Sequence, residues 1–390
     1  MALPTFRTAP GMDRLGSAIA LLALLGLALT PFATFRPTRI ASGTDHMLLS
    51  ALPPGAAAAL IAALALFCVI FTARSRPLWR LAAALVLLVV LVLVMGESAR
   101  FLTPEGNRYA RIAPTAGFWI GCFAGLLGAG DALVRLSPGP ALRVGALVAA
   151  FFLFGGLLQL GVWDGLSLMK EYANRAESFW DEAGQHLALA GASVAAAAVI
   201  GIPLGIACAR IEKLGAVTLP VLNIIQTIPS IALFGLLMGP LGYLAAHVAL
   251  AHDIGIRGIG TAPAMVALFL YSLLPIVANA AVGLRQVAPE AVMAARGMGM
   301  TSAQRLMQVE LPLALPVILA GLRIVTVQNI GMVTIAALIG GGGFGVFVFQ
   351  GLGQTATDLV LLGALPTVAL AFAAAILFDA GIELMKGRKP

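Results

Sequence analysis

The sequence predicts an all-α polytopic membrane protein, and three observations carry that prediction. The 390-residue chain is 60% hydrophobic and only 11% charged, whereas soluble domains carry roughly a quarter charged residues. Its apolar residues come in long runs, such as 57–73 and 78–95, close to the roughly 20 residues that a helix needs to cross a bilayer core. These runs are blocks of Ala, Leu and Val, not the alternating segments of about ten residues that build a membrane β-barrel. In lipid each backbone amide must be satisfied within its own segment, so the runs are helices.

Taken in order, about ten spans are expected, near 15–35, 53–73, 78–96, 113–134, 142–163, 186–209, 216–239, 262–284, 312–339 and 356–383. Arg7 and Arg14 before the apolar run 15–29 resemble a secretory leader. That run ends in Thr30-Pro31-Phe32 with no small-x-small cleavage site, so it is read as a retained first helix. Lys and Arg in short loops mark the cytoplasmic side. Arg7, Arg14, Arg74, Arg76, Arg80, Arg135, Arg143, Arg210, Lys213, Arg285, Arg296, Arg305, Lys386, Arg388 and Lys389 all fall on one side if there are ten spans and both termini are cytoplasmic.

The opposite loops are weaker or acidic. Residues 164–185 carry Asp164, Glu171, Glu177, Asp181 and Glu182 against Lys170 and Arg175, and are expected to be periplasmic and partly an amphipathic helix. Arg36, Arg39, Arg100, Arg108 and Arg111 are exceptions in longer loops. The net charge of +7 is scattered through these loops, which fits orientation signals and not a nucleic-acid patch. Cys68, Cys122 and Cys208 sit singly in apolar stretches and read as packing residues, with no metal or disulfide spacing.

The chain changes character midway, which divides it into an N-terminal five-helix membrane extension (1–165), an acidic linker (166–185) and a working membrane domain (186–385). Helices of the last part are interrupted by Pro203, Pro220, Pro229, Pro275 and Pro316. Each proline removes a donor and frees the carbonyl one turn back, which needs a neighbour or a wet cavity at that depth.

Between the eighth and ninth spans, residues 289–312 form a connection that is helix-prone on both sides and broken by Gly297 and Gly299. Thr301 and Gln304 have capping-box spacing. The expected shape is a helix, a glycine turn and a second short helix at the membrane surface, a rigid projection suited to a cytoplasmic partner.

Here the sequence resembles the permease subunits of ABC importers, whose loop reads Glu-Ala-Ala, three residues, Gly, nine residues, Ile, one residue, Leu-Pro. Ala294, Ala295, Gly299, Leu311 and Pro312 match, Val309 replaces the isoleucine, and Met293 stands where the glutamate is expected; Glu290 lies one turn earlier. The likeness covers roughly 180–385. Ile202-Pro-Leu-Gly-Ile206, Gln226-Thr-Ile-Pro-Ser-Ile-Ala-Leu-Phe-Gly235, Tyr271-Ser-Leu-Leu-Pro275 and Ala295-Arg-Gly-Met-Gly-Met300 look like the glycine betaine/choline importer permeases. The first five spans are similar to those of a longer subgroup.

The resemblance implies a type I ABC-importer transmembrane domain in a bacterial inner membrane. It implies two cytoplasmic ATPase subunits holding ATP and Mg, a second permease subunit and a periplasmic solute-binding protein. No cofactor is expected on this chain, which has no GxxxxGK[ST] phosphate loop.

Other polar residues carry two readings each. Gln226, beside Pro229, and the pair Gln328–Asn329 either line a pathway or bind helices together. Arg323, costly at about 2.5–3.5 kcal/mol in a helix centre, is read as structural or gating. Gly340–Gly343 reads as a tight turn or as a contact for the binding protein. His46, His186, His247 and His252 are too dispersed for a metal site.

An ion-coupled secondary transporter would need mid-span carboxylates, but Asp131, Asp379 and Glu383 fall near expected cytoplasmic ends. A membrane enzyme would need a nucleophile–base or metal grouping, and none stands out. Import of another small solute through the same architecture remains the nearest rival.

Overall fold

The computed structural model describes residues 13–39, 41–73, 75–250 and 255–386. Arg7, Arg74, His252, Arg388, Lys389 and the side chain of Lys386 lie outside the described residues. Two compact units are present, Met1–Gly139 with Val148–Asn174, and Pro140–Leu147 with Arg175–Pro390. Among the described residues nine helices are long and apolar enough to cross a membrane, and Arg14–Leu29 is a shorter apolar one.

The first unit is built on α1 (Arg14–Leu29), the short α2 (Leu48–Ala51), α3 (Pro54–Thr72), α4 (Pro77–Leu102) and α5 (Ala116–Leu136). Proline sits in the first turn of both α3 and α4, where its missing N–H is not needed. Its core joins Leu27, Leu60, Phe67, Phe71, Leu87 and Leu91. Gly121 of α5 meets Leu27 and Leu91, Gly125 meets Leu88, and Gly128 meets Phe67 and Phe71. A stripe of small residues lets α5 approach its neighbours closely, which is how helices gain packing energy without a hydrophobic drive in lipid.

One end of this unit is tied by charge. Arg80 of α4 is 1% exposed and bridges Asp13, which caps α1, at 2.7 Å and Asp131 of α5 at 2.6 Å. Arg135 reaches the same two carboxylates at 2.8 and 2.9 Å. The Arg80 guanidinium also donates to the Phe71 carbonyl and lies 4.9 Å from that ring's centre.

Long loops of this unit hold a small antiparallel sheet ordered β2-β1-β3, from β1 (Ala33–Arg36), β2 (Thr44–His46) and β3 (Arg111–Pro114). Ala33 pairs with both His46 and Pro114. The first helix therefore ends at Leu29, short of the expected 35, because Pro31 cannot donate and the chain turns into β1. Of the arginines that break the loop charge pattern, Arg39 and Arg111 both bind Glu171, at 3.2 and 3.3 Å. They serve this loop structure.

The next helices are α6 (Pro140–Gln159), which has no buried residue, and α7 (Ser167–Ala173). The second unit then runs through α8 (Ala176–Arg210), α9 (Glu212–Thr227), α10 (Ser230–His247), α11 (Thr261–Arg285), α12 (Pro289–Gly297), α13 (Ser302–Arg305), α14 (Leu311–Ala336), α15 (Gly345–Gly353) and α16 (Thr357–Lys386). The centre is α11, with Ala267, Leu268, Val277 and Ala280 wholly buried. Gly201 and Gly205 of α8 lie against its Ile276, Val277 and Ala280, and its own Gly283 lies against Ala314 and Val317 of α14.

Three expected spans are redrawn. The span expected at 186–209 is a helix of 35 residues that starts at Ala176, so the later part of the acidic segment, with Glu177, Asp181 and Glu182, belongs to it, whereas Glu171 lies in α7. The span expected at 216–239 is two helices separated at Ile228-Pro229, since Pro229 lacks a donor and holds Ile228 extended. The span expected from 312 is continuous from Ser302 to Ile339.

Candidate functional site

The connection 289–312 is a hairpin whose turn is fixed at both ends by backbone chemistry. Pro289 opens α12 and Glu290 sits in its first turn, where a carboxylate favours the helix dipole. Gly299 adopts φ +78°; the Met300 N–H donates to the Ala295 carbonyl at 3.2 Å and the Gly299 N–H to that of Arg296 at 2.9 Å. That pair of bonds is a Schellman closure, which wants glycine at the left-handed position. The second limb starts at once with the expected capping box: the Gln304 N–H donates to Thr301 Oγ1 at 3.3 Å, and the Thr301 N–H to Gln304 Oε1 at 2.8 Å.

Ala295 is buried and anchors α12, whereas Glu290, Met293, Ala294 and Gly297 face outward. Met293 and Met298 are 62% and 70% exposed. At the far foot Val309 and Leu311 are half-buried and Pro312 is exposed. The second limb is no separate surface helix: a widened turn, Leu306–Glu310, carries it into α14. Within that turn the Leu311 N–H reaches back to the Leu306 carbonyl, and Pro312 falls in the first turn of α14. The shifted register is how the chain passes a proline without ending the helix.

Sequence reasoning missed the ionic base of the hairpin. Arg305 and Glu310 are 6% and 5% exposed and bond at 2.8 Å. Glu310 also takes a hydrogen bond from Arg210, the last residue of α8. Arg285, the last of α11, donates to the Cys208 carbonyl at 3.0 Å. The available signal was a lone glutamate directly before Leu311-Pro312, at the mouth of an apolar span.

Deeper in the unit, the candidate pathway residues separate. Gln226 Nε2 donates to the Tyr271 carbonyl at 2.9 Å, and the Tyr271 hydroxyl donates to the Ile228 carbonyl beside Pro229. Asn329 is wholly buried and its Nδ2 donates to Ser193 Oγ at 2.8 Å and Ser272 Oγ at 2.9 Å. Both hydroxyls already donate to carbonyls of their own helices, so their lone pairs must face the amide N–H groups. Asn329 thus joins α8, α11 and α14. Gln328 is half-buried and makes only a 3.5 Å contact to Met332 Sδ. Arg323 pairs with Asp379 of α16 at 2.9 Å, both partly exposed.

At the opposite end of α8 the glycine run 340–343 forms a turn, with Gly340, Gly342 and Gly343 at positive φ. Gln185 Nε2 donates to the Gly341 carbonyl at 3.1 Å, and Glu182 Oε2 accepts from the Gly343 N–H at 2.5 Å. His186 Nδ1 accepts from the Phe344 N–H at 3.3 Å, which leaves Nε2 as the donor to the Ile330 carbonyl 3.0 Å away.

Comparison with known proteins gives this arrangement a context. Residues 13–169 match the family described as "ABC transporter permease YehY, N-terminal domain". Residues 201–386 match "Binding-protein-dependent transport system inner membrane component". The osmoprotectant import permease protein OsmW of Salmonella typhimurium is 44% identical over 187 residues, 48% of this chain and 82% of that one. The choline transport system permease protein OpuBD of Bacillus subtilis is 38% identical over 211 residues, 54% of this chain and 86% of that one. A solved structure of the MetNI methionine ABC transporter, inward facing, aligns with 54% of this chain and 95% of that one at TM-score 0.46 and 22% identity. The chain belongs to the family of inner-membrane permease components of binding-protein-dependent ABC importers.

Proposed function

We propose that this chain is the membrane-spanning permease subunit of an ATP-driven importer of glycine betaine- or choline-type osmoprotectants. It is coupled to separate ATPase subunits through the hairpin 289–312. The observation that carries the reading is that hairpin: a stiff, doubly capped projection with Met293, Ala294 and Met298 facing outward and its base locked through Glu310 to Arg210 at the end of α8, which Arg285 in turn ties to the end of α11. A partner that grips it moves the bundle as well as the loop.

In this reading the hairpin faces the cytoplasm and takes Glu290, Met293, Ala294, Gly297 and Gly299 to the ATPase on a helix that Ala295 anchors, with Val309, Leu311 and Pro312 at its foot. ATP and Mg stay on the partner, and this chain binds no cofactor of its own. A second permease subunit completes the pathway, and a periplasmic binding protein delivers solute at the far end, where the turn 340–343 lies. Gln226, Pro229, Arg323, Gln328 and Asn329 shape the gate from within the helices. The broken segment at Ile228-Pro229 supplies a hinge, because its carbonyl is held by a side chain, Tyr271, and not by a helical ladder.

Substrate class rests on the relatives, which include osmoprotectant, choline and carnitine permeases. Uptake of labelled glycine betaine, choline and proline, with and without this chain and at normal and raised osmolarity, tests it. Uptake of a quaternary ammonium solute that depends on the chain is expected. Equal uptake of all three with and without it would defeat the substrate while leaving the permease reading to a separate test, copurification with a nucleotide-binding subunit.

A further inference from the structure

We propose that Arg210 is a positioning residue that passes movement of the hairpin into α8, and that α8 carries it to the glycine turn at the opposite end. The proposal rests on the reading of 289–312 as the ATPase dock and names the route by which docking acts.

Three observations support it. First, Arg305 and Glu310 already neutralise each other within the hairpin's second limb, so that limb does not need Arg210 for charge balance. Arg210 comes from another helix 100 residues earlier in the chain and is 40% exposed, so what it adds is a link between helices. Second, α8 has 35 residues, about 52 Å at 1.5 Å per residue, which exceeds a hydrocarbon core of about 30 Å. One helix therefore reaches both ends of the unit.

Third, its other end is joined just as closely. Glu182, Gln185 and His186, within a little more than one turn, hold the Gly343 N–H, the Gly341 carbonyl and the Phe344 N–H. Between the ends, Ser193 receives Asn329, and Gly201 and Gly205 seat α8 against α11. These two glycines flank Pro203, the proline inside α8, and hold the helix against α11 on both sides of it, so a helix fixed at both ends moves as a body. Displacing the hairpin by way of Arg210 therefore displaces the turn 340–343.

The test uses the complete importer, with its ATPase and binding protein, reconstituted in vesicles with labelled glycine betaine and choline. R210Q removes the link and leaves the Arg305–Glu310 pair intact. The ATPase subunit should still copurify and hydrolyse ATP, while solute moved per ATP falls roughly tenfold. R210K should restore most of the ratio. E182A, at the far joint, should lower the same ratio with the hairpin untouched. A wild-type ratio in R210Q would overturn the proposal, and so would a lowered ratio that R210K fails to raise. If the wild-type chain retains no ATPase subunit, the docking reading falls and this one with it; retention with an unchanged ratio in R210Q overturns this proposal alone.

Discussion

The Gln226 side-chain amide donates to the backbone carbonyl of Tyr271, the carbonyl that Pro275, four residues on, leaves without a helical donor. Replacing Gln226 with Leu should destabilise the protein by about 0.6–2 kcal/mol, the range for such bonds in membranes. The same replacement in a P275A background should cost less, since alanine in place of Pro275 would restore the helical N–H. Thermal unfolding of the four proteins in detergent measures the coupling, and additive costs would remove Gln226 from this role.

Asn329 offers a related measurement. N329L removes two bonds that cross between helices, while Ser193 and Ser272 keep their own carbonyl acceptors. The loss is expected near 1 kcal/mol, and S193A made on top of N329L should add almost nothing. A full extra loss in that double variant would show that Ser193 contributes independently.

The two hairpin glycines should part company. Gly297 is helical with open space around it, whereas Gly299 holds φ +78°. G297A should be neutral or stabilising by up to about 1 kcal/mol. G299V should cost about 1–2 kcal/mol in the left-handed region and weaken retention of the ATPase subunit. Copurification of that subunit with each variant is the readout, and equal retention by both would mean the Schellman turn does not matter for docking.

The charge cluster of the first unit gives a stability and a pH prediction. R80L leaves Asp13 and Asp131 sharing Arg135 in a buried place, which should cost about 3–5 kcal/mol. At Asp13, burial pushes the carboxyl up, but the Gly16 N–H and the Arg80 and Arg135 guanidiniums outweigh it and hold the value below the ordinary aspartate range. Its contribution is present above the ordinary value of about 3.9 and is lost as pH falls through the lower native one. D13N should therefore destabilise fully at pH 7 and progressively less below about pH 3.9. A cost that stays constant with pH would contradict the sign.

Much of the architecture was legible because lipid allows so few solutions: apolar runs of spanning length had to be helices, and Gly299, Thr301 and Gln304 announced their turn by residue type. What escaped were long-range pairings. Nothing local says that Glu310 meets Arg210 or that Arg39 and Arg111 converge on Glu171. By residue type the prolines carry equal weight as breaks, yet Pro229 separates two helices whereas Pro203, Pro275 and Pro316 lie inside continuous ones. At Pro275 the freed carbonyl is met by Gln226 from a neighbouring helix, a pairing no local signal announces. Asn329 and Gln328 are adjacent in sequence and differ by about 100° around a helix, enough to place one among three helices and the other against a methionine.

Helix α6 obeys a different rule from every other long helix. With Phe151 and Phe152 at 75% and 70% exposure and no residue of the helix buried, most of its side chains fit no fixed cavity among the described residues; Arg143, paired with Glu383, and Phe154, beside Trp163, are the exceptions. Acyl tails reshape themselves around whatever oily contour they meet, so this stretch answers to total greasiness and length, not to the shape of any one residue. Shuffling its leucines, alanines and phenylalanines should be tolerated where the same shuffle in α11 would not.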